Sequence, residues 1–145
     1  MKFSLLSRNK TNNRGLRLLF RQLRPFYFPN INDQYGHAAG DRALRSFAGM
    51  ITEQIGDQKA VAGRWGGEEF LIVCYGMAPQ ELYDLADRIC RQTEKAEFPD
   101  VGHFTCSIGL AELRPGDTPG SAFERADKAL YRAKEAGRNR IVTAD

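Results

Sequence analysis

A chain of 145 residues with a 42% hydrophobic and 27% charged composition has room for one globular domain and one core. The net charge of +3 is too mild to argue for a nucleic-acid partner, and no apolar run approaches the ~20 residues that cross a bilayer. Cys74, Cys90 and Cys106 show no paired spacing and read as buried or idle thiols of a reducing compartment. Basic residues without an acid mark the stretch from Lys2 to Arg24, but Arg and Gln break its apolar runs. That argues against a secretory signal and for a cytoplasmic location.

In chain order, residues 7–15 read as turn or loop. Residues 16–30 have apolar positions of neither strand nor helix period, with Pro25 and Pro29 around an aromatic triplet. From Gly40 the pattern sharpens. Leu44, Phe47, Ala48, Ile51 and Ile55 form one helical stripe, with Asp41 placed to cap its start and Gly56 to close it. Residues 59–65 and 69–75 read as two strands joined at Gly66-Gly67, a hairpin signal because tight turns need positive φ. Residues 78–96 predict a helix with Pro79 in its first turn and Leu82, Leu85, Ala86 and Ile89 inward. Residues 103–113 predict a strand and 114–120 a loop. A helix follows, with Ser121 and Glu124 as a capping box, Phe123, Ala126, Leu130 and Ala133 inward, and an end at Gly137. Residues 139–144 make a last strand. Interleaved helices and strands with one hairpin predict an α/β fold around a mixed sheet.

Three stretches carry polar chemistry. Glu68 and Glu69 follow the glycine pair, where a carboxylate is held rigidly yet is accessible to ligate Mg²⁺ or accept a proton; solvated turn acids are the alternative. Residues 31–41, "INDQYGHAAGD", concentrate Asn32, Asp33, His37 and Asp41, side chains suited to reading hydrogen-bonding edges. Asn32 is equally an ordinary turn former, and Asp41 an N-cap. Lys134 and Arg138, four apart at a helix end, either complement the helix dipole or grip a polyphosphate.

Together, "INDQYGHAAGD", "RWGGEEF", "TCSIGLAEL" and "RADKALYRAKEAGRNRI" resemble the GGDEF family of diguanylate cyclases over roughly residues 30–142. The resemblance implies a mixed sheet wrapped by helices, like the palm of nucleotide cyclases and polymerases. It also implies condensation of two GTP into cyclic di-GMP by a facing homodimer with Mg²⁺, or Mn²⁺ in its place, often under a sensor domain or partner. Carried onto this chain, Glu68 matches the metal-binding and proton-accepting position, and Glu69 the neighbour that supports it. Gly66 and Gly67 let the nucleotide approach, Asn32 and Asp41 read guanine, and His37 contacts the nucleotide. Lys134 and Arg138 hold the terminal phosphates.

The chain departs from the family pattern ahead of Asn32. The family's Asp-x-Asp-x-Phe-Lys segment falls on Arg24, Phe26, Phe28 and Pro29, so Arg24 replaces the first metal carboxylate. The usual leader and first strand are expected to be missing. The boundary is therefore set between an atypical segment, 1–29, and a GGDEF domain, 30–145, with truncation or an altered reading frame as the expected origin. A catalytically degenerate domain serving as a GTP-binding or scaffold module is the alternative function. The product-binding Arg-x-x-Asp of many members falls on Asp57 and Ala60, which implies no feedback there.

Overall fold

The computed structural model describes residues 17–19, 37–57, 60–66, 69–74 and 76–144. Within them the order is β1 (Arg17–Leu19), α1 (His37–Ile55), β2 (Ala60–Gly66), β3 (Glu69–Cys74), α2 (Pro79–Lys95), β4 (Ile108–Glu112), α3 (Pro119–Glu135) and β5 (Ile141–Thr143). One sheet runs β2-β3-β1-β4-β5. Its first three pairings are antiparallel, and β4 and β5 are parallel. The mixed α/β architecture is thus the expected one.

β1 corrects the expectation of a missing first strand. It lies at the centre of the sheet, with Leu18 opposite Val73 on one side and Ala111 on the other. Its three residues are too few to display a period, so only their partners identify them.

The helices form where apolar stripes meet this sheet. α1 begins at His37, earlier than expected, because Ala39 and Ala43 are also buried and extend the stripe of Phe47 and Ile51 by a turn. Asp41 is therefore inside the helix and is not its cap. α2 buries Leu82, Leu85, Ala86, Ile89, Cys90 and Thr93. Its start is secured by the Ala78 N–H donating to Glu81 Oε1 at 3.4 Å, a contact the alanine side chain cannot reciprocate. α3 starts at Pro119, capped by Thr118: Ser121 N–H donates to Thr118 Oγ1 at 3.1 Å and Thr118 N–H to Ser121 Oγ at 3.0 Å. The cap is thus Thr118 with Ser121, in place of Ser121 with Glu124. Phe123, expected inward, is only partly buried, and Ala122 and Ala129 share the inner face with Ala126, Leu130 and Ala133.

Phe70 through Cys74 are all buried, because β3 is covered on both faces. α3 is so close on one face that a Cβ on Gly109 would lie 2.1 Å from the Ala126 carbonyl oxygen. Leu110, pointing to the other face, adjoins Leu82 and Tyr83 of α2. Between α1 and the sheet, Phe47 meets Phe70, Phe98 and Phe104 at ring-centroid distances of 5.3, 6.2 and 5.9 Å. Phe98 stacks on Phe104 at 4.0 Å. β4 is shorter than expected: Phe104, Cys106 and Ser107 are buried, but the ladder to β5 starts only at Ile108 opposite Ile141. All three cysteines are free and buried. Among the described residues no helix is long and apolar enough to cross a membrane.

Candidate functional site

The register fixes which residues share an end of the sheet. β2 and β3 close their ladder at Gly66 opposite Glu69, and Ala60 pairs with Cys74 at the far end. The register shifts between Arg64 and Gly66, and Gly66 pairs with Glu69, so Gly66 belongs to the strand and not to the turn expected at Gly66-Gly67. Gly67 and Glu68 lie outside the described residues, as does Asn32.

Each helix ties another candidate to the tip end. α1 reaches Ala60, at the far end, within a few residues of Ile55. A helix of 19 residues spans about 28 Å, so its first turns lie at the tip end. His37 opens that helix and Asp41, exposed, is one turn further. Arg42, next to Asp41, donates through Nε and Nη2 to Asp100 Oδ2 at 2.7 Å from each. Asp100 belongs to the segment between α2 and β4. α2 has crossed from the far end and β4 starts at the tip end, so that segment lies at the tip end too. α3 runs the same way as α2, and Lys134 is in its last turn. Arg138 stands in the short link to β5, whose Ile141 is level with Ile108 at the start of β4.

The Lys134–Arg138 link is built tightly. Arg138 N–H donates to the Ala133 carbonyl at 2.9 Å and Gly137 N–H to the Lys134 carbonyl at 3.2 Å, the pair of bonds that ends a helix in a Schellman motif. Gly137, Arg138 and Asn139 all have positive φ, at 118°, 64° and 48°. Arg132 and Lys134 place positive charge in the last turn, where it complements the negative end of the helix dipole.

The topology thus gathers Gly66, the start of β3 at Glu69, His37, Asp41, Lys134 and Arg138 at one end of the sheet. Adjacent glutamates supply hard oxygen ligands, and Mg²⁺ commonly takes one or two carboxylates and completes its shell with phosphate oxygens and water. By residue type alone, carboxylates at these two positions suit that ion. No group of three or more metal-binding side chains occurs among the described residues. Sequence reasoning missed Asn139 and Asp100; the Gly-Arg-Asn after a helix was the available signal for the first, since Gly and Asn favour positive φ.

A five-stranded mixed sheet of this order with helices on its faces defines the class: an α/β domain built on one sheet. The model of the "Diguanylate cyclase, GGDEF domain" family matches residues 3–140, and the chain belongs to that family. It is 36% identical over 121 residues to diguanylate cyclase DgcP of Pseudomonas aeruginosa, which covers 81% of this chain. It spans between 18% and 36% of the length of the curated relatives it resembles. Among solved structures, the active GGEEF domain of a diguanylate cyclase from Vibrio cholerae aligns with a TM-score of 0.86 at 31% identity, covering 98% of this chain and 90% of that one. The GGDEF domain of DgcB from Caulobacter crescentus, solved in complex with c-di-GMP, aligns with a TM-score of 0.85 at 28% identity, over 97% and 84% of the two chains. Synthesis of cyclic di-GMP is the family's function.

Proposed function

We propose that this domain binds GTP at the hairpin-tip end of its sheet, and that two copies facing each other join two GTP molecules into cyclic di-GMP. The gathering of the tip, the start of α1 and the end of α3 at one end of the sheet carries this reading. Asn32 and Asp41 pair with the O6, N1–H and N2–H edge of guanine. His37 contacts the nucleotide. Gly66 and Gly67 admit the phosphates without a Cβ clash. Lys134 meets the terminal phosphates as a point charge and Arg138 as a fork.

The chemistry follows from what these groups hold. The ribose 3′-hydroxyl of one GTP attacks the α-phosphorus of the other, a P–O bond forms, and the bond to the β-phosphate oxygen breaks to release pyrophosphate. The hydroxyl proton passes to Glu68, with Glu69 keeping that carboxylate in place. The same step in the opposite sense closes the ring. Glu68 and Glu69 would also hold Mg²⁺, or Mn²⁺, which when bound neutralises developing phosphate charge. GTP as substrate makes the cytoplasm the working compartment, and a sensor domain or partner would set the pairing of the two copies.

Arg24 favours a second reading. A guanidinium where the family has a metal carboxylate repels the ion, and loss of a metal ligand commonly costs orders of magnitude in rate. On that reading the domain binds GTP without turnover and acts as a regulatory or scaffold module. Incubation with GTP and Mg²⁺, with the products separated by chromatography, tests the first reading: cyclic di-GMP and pyrophosphate support it, and no product at high protein concentration rejects it. The second requires GTP affinity that calorimetry finds unchanged by EDTA, together with no product from wild type and its appearance in Arg24→Asp.

A further inference from the structure

The link from α3 to β5 holds a non-glycine arginine in a conformation that L-residues avoid. Arg138 has φ 64° and Asn139 has φ 48°. Asn tolerates that region and Arg does not favour it. Such a conformation persists only where the surroundings over-determine it, and three contacts do so here. The Arg138 N–H is bound to the Ala133 carbonyl at 2.9 Å. The Arg138 carbonyl accepts from Arg140 Nε at 3.0 Å. Asn139 Oδ1 accepts from the thiol of Cys90, 3.6 Å away on α2. Cys90 is itself fully buried and shares its single proton with the Cys106 carbonyl at 3.5 Å. The Asn139 side chain therefore ties the arginine-bearing link to the packed helix on the other face of the sheet.

We infer that Asn139 is a positioning residue for Arg138: its left-handed backbone and its anchor on Cys90 aim the guanidinium at the terminal phosphates of the nucleotide. The inference rests on the reading of Lys134 and Arg138 as a phosphate grip and adds the parts that hold it. Cys90 contributes as the donor on which the anchor closes. Without the anchor the link relaxes toward ordinary negative φ, and Arg138 leaves its place while the guanine-reading end of the site, on α1, is untouched.

The test measures affinity for GTP and for GMP, which lacks the terminal phosphates, in Arg138→Ala, Asn139→Ala, Asn139→Gly, Cys90→Ala, Cys90→Ser and the double variant Arg138→Ala/Asn139→Ala. Asn139→Ala loses both backbone preference and anchor, and is expected to weaken GTP about tenfold while GMP stays within about twofold. Asn139→Gly keeps the backbone preference and reports on the anchor alone even where the alanine variant folds poorly. It and Cys90→Ala are expected to weaken GTP by about two- to fivefold, and Cys90→Ser, which retains a donor, by less. In the double variant the loss is expected to equal that of Arg138→Ala alone. GTP affinity unchanged in the Asn139 variants while Arg138→Ala is weakened overturns the inference. So do losses that add in the double variant, or a parallel fall in GMP affinity. Unchanged GTP affinity in Arg138→Ala removes the phosphate grip itself, and the inference with it.

Discussion

Gly109 on β4 is where the fold tolerates least. A Cβ there would lie 2.1 Å from the Ala126 carbonyl oxygen, 2.5 Å from Leu130 N and 2.9 Å from Leu130 Cα, all backbone of α3. No rotamer change relieves contact with backbone, so α3 has to back away from the sheet. Ordinary van der Waals contact begins at 3.4 Å, which makes the retreat about 1.3 Å at the carbonyl. The face it lifts includes Ala122, Ala126, Ala129, Leu130 and Ala133, each no more than 2% exposed. Overpacking of a core costs about 1–3 kcal/mol, and three rigid contacts place Gly109→Ala at or above the upper end. With a urea slope of about 2 kcal/mol per molar, the unfolding midpoint falls by about 1.5 M. Gly49, exposed on α1 with nothing within 4 Å of its would-be Cβ, is the control of opposite sign. Gly49→Ala should gain up to about 1 kcal/mol from helix propensity and raise the midpoint. Equilibrium urea unfolding followed by circular dichroism measures both. A Gly109→Ala midpoint within about 0.3 M of wild type refutes the close packing of α3 on β4.

Asp117 gives a pH signature. Burial of its side chain works to raise its pKa, but the Arg114 N–H, the Ser121 hydroxyl and the Arg125 guanidinium together hold the carboxyl below the usual range. A depressed folded value means the stabilisation is whole above the ordinary Asp pKa of about 3.9 and is lost as pH falls through the lower folded value. Asp117→Asn should therefore be less stable than wild type at pH 7, with the gap narrowing below about pH 4; a gap constant with pH contradicts the assignment. For Cys74, burial pushes the thiol up to about 12. Iodoacetamide at pH 8 should leave it unmodified in the native protein and alkylate it after unfolding; rapid native labelling at Cys74 would falsify its burial in β3. Asp57, exposed after α1, and Ala60, at the start of β2, offer no arginine to a cyclic dinucleotide. Titration with cyclic di-GMP should show no protection or chemical-shift change at these positions, and low-micromolar binding there defeats the prediction.

Legibility in the sequence followed residue chemistry and local period. The amphipathic stripes of α1, α2 and α3 showed as helices because their buried positions repeat at helical spacing. The hairpin was legible from its glycine pair and the run from Phe70 to Cys74. β1 was not, because a three-residue strand has meaning only through Val73 and Ala111 on either side of it. The helix starts were displaced for local reasons. Small alanines carried the stripe of α1 past Asp41, and a Thr118–Ser121 pair capped α3 where an acid three residues after Ser121 looked the better box. The candidate site was legible as separate motifs. That Lys134, Arg138 and Asp41 share an end of the sheet with Glu69 is a property of strand register, which no single motif encodes. The anchor from Cys90 to Asn139 joins positions far apart in the chain, and only the packing of α2 on the sheet brings them together.

On the proposed function, one guanosine triphosphate spans the hairpin tip, the start of α1 and the end of α3. A crystal structure of the chain with 3′-deoxy-GTP, which binds but lacks the attacking hydroxyl, tests it most directly. Guanine is expected against Asn32 and Asp41, the α-phosphate beside Glu68, and the terminal phosphates on Lys134 and Arg138. A nucleotide bound anywhere else, or its phosphates turned away from Arg138, contradicts it.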